Sequence, residues 1–133
     1  MRKDINPTKI TDIFVAIIPE INEEGFTEWN VYLINNKKEL IEGVLVSSQG
    51  YGVIKNEHRK TAVFRHSLKN MEPKSFKKIE TIVEDLFVLS NEFWVSFFFQ
   101  NEIQDKKFIF LAESIREENF SEIPVIGGRG VLI

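Results

Sequence analysis

The residues of this chain best suited to chemistry are two histidines and the acidic side chains around them. A zinc site needs three or four protein ligands, so His58 and His66 would have to converge with a carboxylate such as Glu57 or Glu72. The two histidines lie along one predicted hairpin arm, where they approach each other only if the strand bends. The sequence therefore predicts no metal site and no cofactor.

Hydrolytic chemistry finds equally little support. His66 and Ser67 are neighbours in a predicted strand, so their side chains point to opposite faces, whereas a nucleophile and its base must meet. Carboxylate pairs at 23–24, 84–85 and 117–118 lie in polar segments, where solvated loops are expected. We predict no catalytic residue and a protein that is not an enzyme.

Two glycine-rich stretches could bind a phosphate or form a turn. Gly127, Gly128, Arg129 and Gly130 lack the Lys-Ser/Thr ending and the following helix of a P-loop, which favours a turn before a last strand. Residues 50–52 are predicted as a glycine turn or bulge with positive φ.

The composition indicates what must position these residues. The chain has 133 residues, a formal net charge of −3, no cysteine and 12 phenylalanines. Such a composition excludes a disordered chain and a disulfide scaffold, and it favours β-structure. We expect one domain over 1–133, with 1–11 and 127–133 as tails that are flexible or add a strand. No export signal or membrane span is evident, so we expect a cytoplasmic protein.

Hydrophobic periodicity predicts an all-β fold, an antiparallel β-sandwich of about seven to nine strands with at most one short helix. One strand is expected to end before Pro19, and a second hairpin is expected to have residues 56–59, with His58, at its polar tip. Residues 75–89 also fit a helix, but a strand over 75–82 and a helical turn over 84–89 are favoured. Further strands are predicted at 12–18, 29–34, 40–46, 53–55, 61–68, 92–99 and 107–111.

Several short motifs occur in a characteristic order, at 29–36, 50–51, 64–66, 75–76, 91–94, 105–108, 123–124 and 130–132. Their order resembles a family of short uncharacterised bacterial proteins of about this length. Some members of that family are automatically labelled phenylalanyl-tRNA synthetase alpha subunit, but the motifs of a class II synthetase are missing from this chain. A looser similarity, at 32–35, is to the β-sandwich segment of Smr-type proteins. The resemblance implies a fold and transfers no functional residue.

Positive charge is concentrated in residues 55–78, which hold eight basic and two acidic side chains. This segment could bind RNA if its charges shared one face with the rings of Tyr51, His58 and Phe76. A solvated rim, or a patch for an acidic protein, is the favoured interpretation. The candidate anion-binding residues are Arg59, Lys60, Arg65, Lys77 and Lys78.

The strongest local signal is an aromatic hairpin that is apolar on both faces. Residues 93, 95, 97 and 99 alternate with Trp94, Ser96 and Phe98, and the next strand places Ile109 and Leu111 opposite Phe108 and Phe110. Cover of the second face by residues 125–133 is favoured, with a homodimer or a docked protein as the alternative. We predict an interaction module that docks a protein or self-associates through Trp94, Phe98, Ile109 and Leu111. The alternative is an RNA- or tRNA-associated accessory domain that uses 55–78.

Overall fold

The computed structural model describes residues 10–133, which form two antiparallel sheets packed face to face. Sheet A has the strand order β6-β2-β1-β10-β9, and sheet B has the order β4-β3-β7-β8, with β5 also paired to β3. The strands are β1 (Ile13–Ile21), β2 (Thr27–Asn35), β3 (Ile41–Ile54), β4 (Glu57–Lys60), β5 (Phe64–Met71), β6 (Ser75–Ile82), β7 (Ser90–Phe99), β8 (Glu102–Phe110), β9 (Ser121–Glu122) and β10 (Arg129–Leu132).

The predicted fold class, an all-β antiparallel sandwich, is confirmed. Within 10–133 there are ten strands rather than seven to nine, and two short 3₁₀ helices, Glu84–Val88 and Glu117–Asn119, rather than at most one. The strand over 75–82 and the helical turn after it are confirmed. No helix of the described chain is long and apolar enough to cross a membrane. The expected tail at 1–11 falls almost wholly outside the described residues.

The main core lies between the two sheets and follows the alternation of each strand. β7 contributes Phe93, Val95 and Phe97, and β1 contributes every second residue from Ile13 to Ile17. The rings of Phe93 and Phe110 pack edge to face, with their centroids 5.9 Å apart. Large aromatic side chains on one sheet therefore fill the space against β-branched side chains on the other.

Pro19 does not end β1, contrary to the prediction. It pairs with Trp29 of β2, and β1 continues to Ile21. The backbone N–H of Val15 donates to Ile133 O at 2.9 Å, so residues 15, 17 and 19 direct their backbone nitrogens toward β10. The ladder with β10 ends at Ile17. Proline is tolerated at 19 because no ladder hydrogen bond is required there.

The prediction that a strand ends before a glycine turn at 50–52 is wrong. β3 continues through both glycines to Ile54, and neither has a positive φ. Packing favours glycine at 50, because a Cβ there would lie 3.2 Å from both Asn91 Oδ1 and Thr61 Cγ2, closer than ordinary van der Waals contact. The true turn is Lys55 and Asn56, which both have positive φ. His58 consequently lies on β4 opposite Val53, not at a hairpin tip.

The β7–β8 connection is also shorter than predicted. Gln100 and Asn101, both with positive φ, form a two-residue turn. Residues 102–106, predicted to belong to the connection, extend β8 to Glu102. The glycine turn at 127–128 is confirmed by positive φ at both residues. Of the tail expected at 127–133 to be flexible or to add a strand, Arg129–Leu132 form β10, which pairs with β1.

The C-terminal residues cover sheet A, not the aromatic hairpin. Ile123 is buried on the outer face of sheet A against Ala16, Ile18 and Ile34, and Ile126 and Leu132 pack beside them. The favoured prediction of intramolecular cover for the second face of 93–99 is therefore wrong. Both sheets have an apolar outer face, and the C-terminal residues pack on that of sheet A.

Tyr32 lies beside that covered region, and its hydroxyl donates to Glu20 Oε1. Burial, followed by this hydrogen bond, raises the pKa of Tyr32 from 10.0 to about 12. Between these pH values the folded chain keeps a proton that the unfolded chain has lost, so the free energy of unfolding must fall as pH rises.

We expect the Tyr32→Phe variant to lose less stability than the unmodified protein across this pH window. Urea denaturation at several alkaline pH values measures the difference, and the absorbance of tyrosinate reports the titration directly. Equal losses in the two proteins would contradict the assignment, because the other groups titrating at high pH are common to both.

Candidate binding surface

The outer face of sheet B carries a group of four neighbouring large apolar side chains that the other described residues leave largely exposed. Trp94 is 44% exposed, Phe98 47%, Leu45 54% and Ile103 67%. We call these four residues the docking patch. As the alternation of 93–99 predicted, Trp94 and Phe98 lie on the face of β7 opposite the buried Phe93, Val95 and Phe97. Their exposure differs from the favoured prediction, in which residues 125–133 cover this face.

The strand register makes the docking patch continuous. Leu45 of β3 lies opposite Ser96, the residue between Trp94 and Phe98 on the outer face of β7. Ile103 of β8 lies opposite Phe98. Directly opposed residues in an antiparallel pair are close neighbours on one face, so the four apolar side chains form one cluster across β3, β7 and β8.

Small and charged residues surround the docking patch. Trp94 is flanked in register by Ser47 of β3 and Lys107 of β8, and the Lys107 ammonium lies 4.9 Å from the centre of the Trp94 ring. The same ammonium is 3.9 Å from Glu92 Oε1. Beside the indole is an open groove of about 460 Å³, whose lining includes three serines, Ser47, Ser67 and Ser96.

Ile109 and Leu111, which the sequence grouped with Trp94 and Phe98, are placed toward the edge of the sheet. Ile109 is opposite Glu92 on the outer face and is partly buried, while Leu111 follows the end of β8. Both line a separate cleft of about 240 Å³ with the C-terminal residues 131–133. The predicted set is therefore divided, because Trp94 and Phe98 belong to the docking patch whereas Ile109 and Leu111 line the separate cleft.

Comparisons with known proteins give no match for this chain. Neither protein-family models, nor curated proteins, nor solved structures match the chain. The family resemblance drawn from the sequence therefore stays a prediction.

The basic segment is divided between the two sheets, so its charges do not share one face. Arg59, Lys60 and Arg65 belong to sheet B, whereas Lys77 and Lys78 lie on β6 in sheet A. The ammonium of Lys77 donates to the carbonyl oxygens of Leu68 and Asn70, which ties β6 to β5.

Ion pairs reduce the positive surface further. Arg59 is 3.0 Å from Glu57, and Lys78 is 3.8 Å from Glu28. The rings considered for stacking are also separated, because Phe76 lies on sheet A against Tyr32 and His58 lies on sheet B. Arg65 alone of the five candidates lines the groove beside Trp94.

His66 takes part in a polar bridge between the sheets. Glu80 Oε1, on β6 of sheet A, accepts from Ser48 Oγ at 2.7 Å and is 2.8 Å from His66 Nε2. Ser48 and His66 both bond the same oxygen rather than each other, so the histidine is not placed to activate the serine. In the described part of the chain, no group of three or more potential ligands is placed to hold a metal ion.

This bridge predicts a stability effect. Glu80→Ala should lower the free energy of unfolding by about 1–3 kcal/mol, because it leaves the buried Ser48 hydroxyl without its acceptor and removes a polar contact between the two sheets. Glu23→Ala, in an exposed turn, is the matched control and should change stability by less than about 0.5 kcal/mol. Urea denaturation measures both, and an equal change in the two variants would contradict the role assigned to Glu80.

Sequence reasoning missed Leu45, Ile103 and the serines of the groove. The prediction ended one strand at 46 and began another only at 107, so it left out Ser47, which lies opposite Trp94, and Ile103, which lies opposite Phe98. A usable signal was present at 44–46, where three consecutive apolar residues imply that both faces of β3 are apolar. Identifying the serines required the register, which the sequence pattern does not specify.

Proposed function

We propose that this protein is a non-enzymatic interaction module that binds a protein through the docking patch. The observation that carries the proposal is the exposure of Trp94 and Phe98 on the outer face of β7, whose opposite face is buried in the core. Exposed apolar clusters of this kind mark interaction sites, and tryptophan is among the residues that contribute most to binding energy.

The surroundings of the patch also favour a protein over a nucleic acid. Both signs of charge surround the apolar side chains: Arg65 lies on β5, Glu92 on β7, and Asp105 and Lys107 on β8. A single-stranded RNA site would instead combine its stacking rings with a predominantly positive surface. An apolar centre with a mixed polar rim is typical of protein interfaces.

Photo-crosslinking in the host cell tests the proposal with a matched pair of positions. A photoreactive phenylalanine analogue replaces Phe98, on the docking patch, or Phe76, which is similarly exposed at 44% but lies on sheet A. We expect a protein adduct from position 98 and little or none from position 76. Adding Trp94→Ala to the position 98 probe should strongly reduce the adduct.

The other outcomes contradict the proposal. If nuclease treatment removed the adduct formed at position 98, the partner would be RNA rather than a protein. Equal adducts from both positions, an adduct insensitive to Trp94→Ala, or no adduct at all would show that the docking patch does not bind a protein.

A further inference from the structure

The residues on and around the docking patch form two parallel rows across sheet B. The first row runs from β5 to β8 through Arg65, Ser47, Trp94 and Lys107. The second row, the next outward residues along the same strands, runs through Ser67, Leu45, Ser96 and Asp105. Large and charged residues in one row are matched by small or oppositely charged residues in the other.

From this arrangement we infer that the docking patch binds a second copy of this chain face to face. This inference rests on the proposed function of that surface. In a two-fold interface the same surface occurs on both sides, so each residue meets the image of another residue of its own surface. A two-fold axis that runs parallel to the rows and midway between them brings the first row of one copy onto the second row of the other.

Charge selects this axis over its neighbours. Midway between the rows, Lys107 of each copy faces Asp105 of the second copy, which gives two symmetric ion pairs. An axis directly over the first row would place Lys107 against its own image, and an axis over the second row would do the same for Asp105. Like charges in direct opposition are unfavourable, so both alternatives are disfavoured.

Shape supports the same axis. Trp94 of one copy would lie over Ser96 of the second copy, where the groove of about 460 Å³ offers room for an indole. Its lining contains three serines and the side chain of Leu45, which supply little bulk and one apolar wall. The large side chain of one row thus meets the small side chains of the other, as close packing requires.

The flanking rows extend the contact. Phe98 and Ile103 lie on one side of the two rows, and Glu92 and Ile109 lie on the other. Under the same axis, Ile103 faces Ile109 of the second copy. Phe98 covers the aliphatic part of Glu92, whose carboxylate is directed toward Lys107 of its own copy, 3.9 Å away. This placement gives Ile109 a role in binding without requiring it to join the central cluster.

A charge-exchange experiment on the full chain tests the inference. Sedimentation of the unmodified protein over a range of concentrations should show a monomer–dimer equilibrium. Asp105→Lys and Lys107→Asp should each weaken dimerisation about tenfold or more, because each places like charges opposite one another. The double variant restores opposite charges at both positions, so we expect its dimerisation to return toward that of the unmodified protein. Circular dichroism verifies that each variant is folded.

Lys106→Asp is the matched control, since it makes the same charge change one residue away. Lys106 lies on the other face of β8, the one that carries Phe108. It should leave dimerisation unchanged. A monomer at all concentrations, or a double variant no stronger than the single ones, would overturn the second-copy inference. If a monomer still gave a Trp94-dependent adduct of another protein from position 98, the proposed function would stand and this inference alone would fail.

Discussion

Replacing Phe93 with alanine is expected to lower the free energy of unfolding by about 3–5 kcal/mol. Phe93 is 1% exposed, and its ring packs edge to face on Phe110 with the centroids 5.9 Å apart. Removing the ring leaves a void between the sheets that their backbones cannot close, so the contacts of its neighbours are lost as well.

Trp94→Ala is the matched control for this prediction. Trp94 is the next residue of β7 and has the larger side chain, yet it points to the outer face and should cost only about 1 kcal/mol. Urea denaturation gives both values. Similar losses in the two variants would show that the faces of β7 are not divided into a packed side and an exposed side.

Gly130→Ala is expected to be nearly as damaging, with a loss of about 3 kcal/mol or more. A Cβ at this position would lie 2.3 Å from the carbonyl oxygen of Ile17 and 3.1 Å from the Cα of Ile18. Both are backbone atoms of β1, which cannot move aside as a flexible side chain can. The new methyl group therefore has to separate β10 from β1.

Gly127→Ala distinguishes this steric effect from the general cost of replacing a glycine. Its φ is +80°, but a Cβ at this position would have no atom within 4 Å beyond its chain neighbours. The substitution should therefore cost only the conformational strain of about 1–2 kcal/mol. If Gly130→Ala unfolded at the same urea concentration as the unmodified protein, the pairing of β10 with β1 would be incorrect.

The sequence predicted those parts of the fold in which a strand has one clearly apolar face. Alternation over 93–99 separated the two faces of β7, because a strand has a side-chain period of two, although both faces are apolar and the sequence did not show that one is exposed. It could not show that β1 continues through Pro19 or that β3 continues through Gly50. Both depend on neighbouring strands, which decide whether a backbone nitrogen needs a partner and whether a side chain has space.

Part of the binding surface could be predicted and part could not. Trp94 and Phe98 follow from local alternation, but the residues beside them belong to β3, β5 and β8 and depend on register. The cover of the second face was predicted incorrectly because residues 123–132 are apolar enough to pack on either sheet. The division of the basic segment arises from the turn after Met71, which carries the chain from sheet B to sheet A.

The pairing of β1 with β10 has a consequence for the speed of folding. The hydrogen bonds between Val15 and Ile133 join residues from nearly opposite ends of the described chain. Closing so long a loop costs chain entropy before the contact stabilises anything, and all-β domains dominated by distant pairings typically fold in milliseconds to seconds. The hairpins β1–β2 and β7–β8 need only short loops and can form earlier. We therefore expect sheet A to be completed late, when β10 enters between β1 and β9.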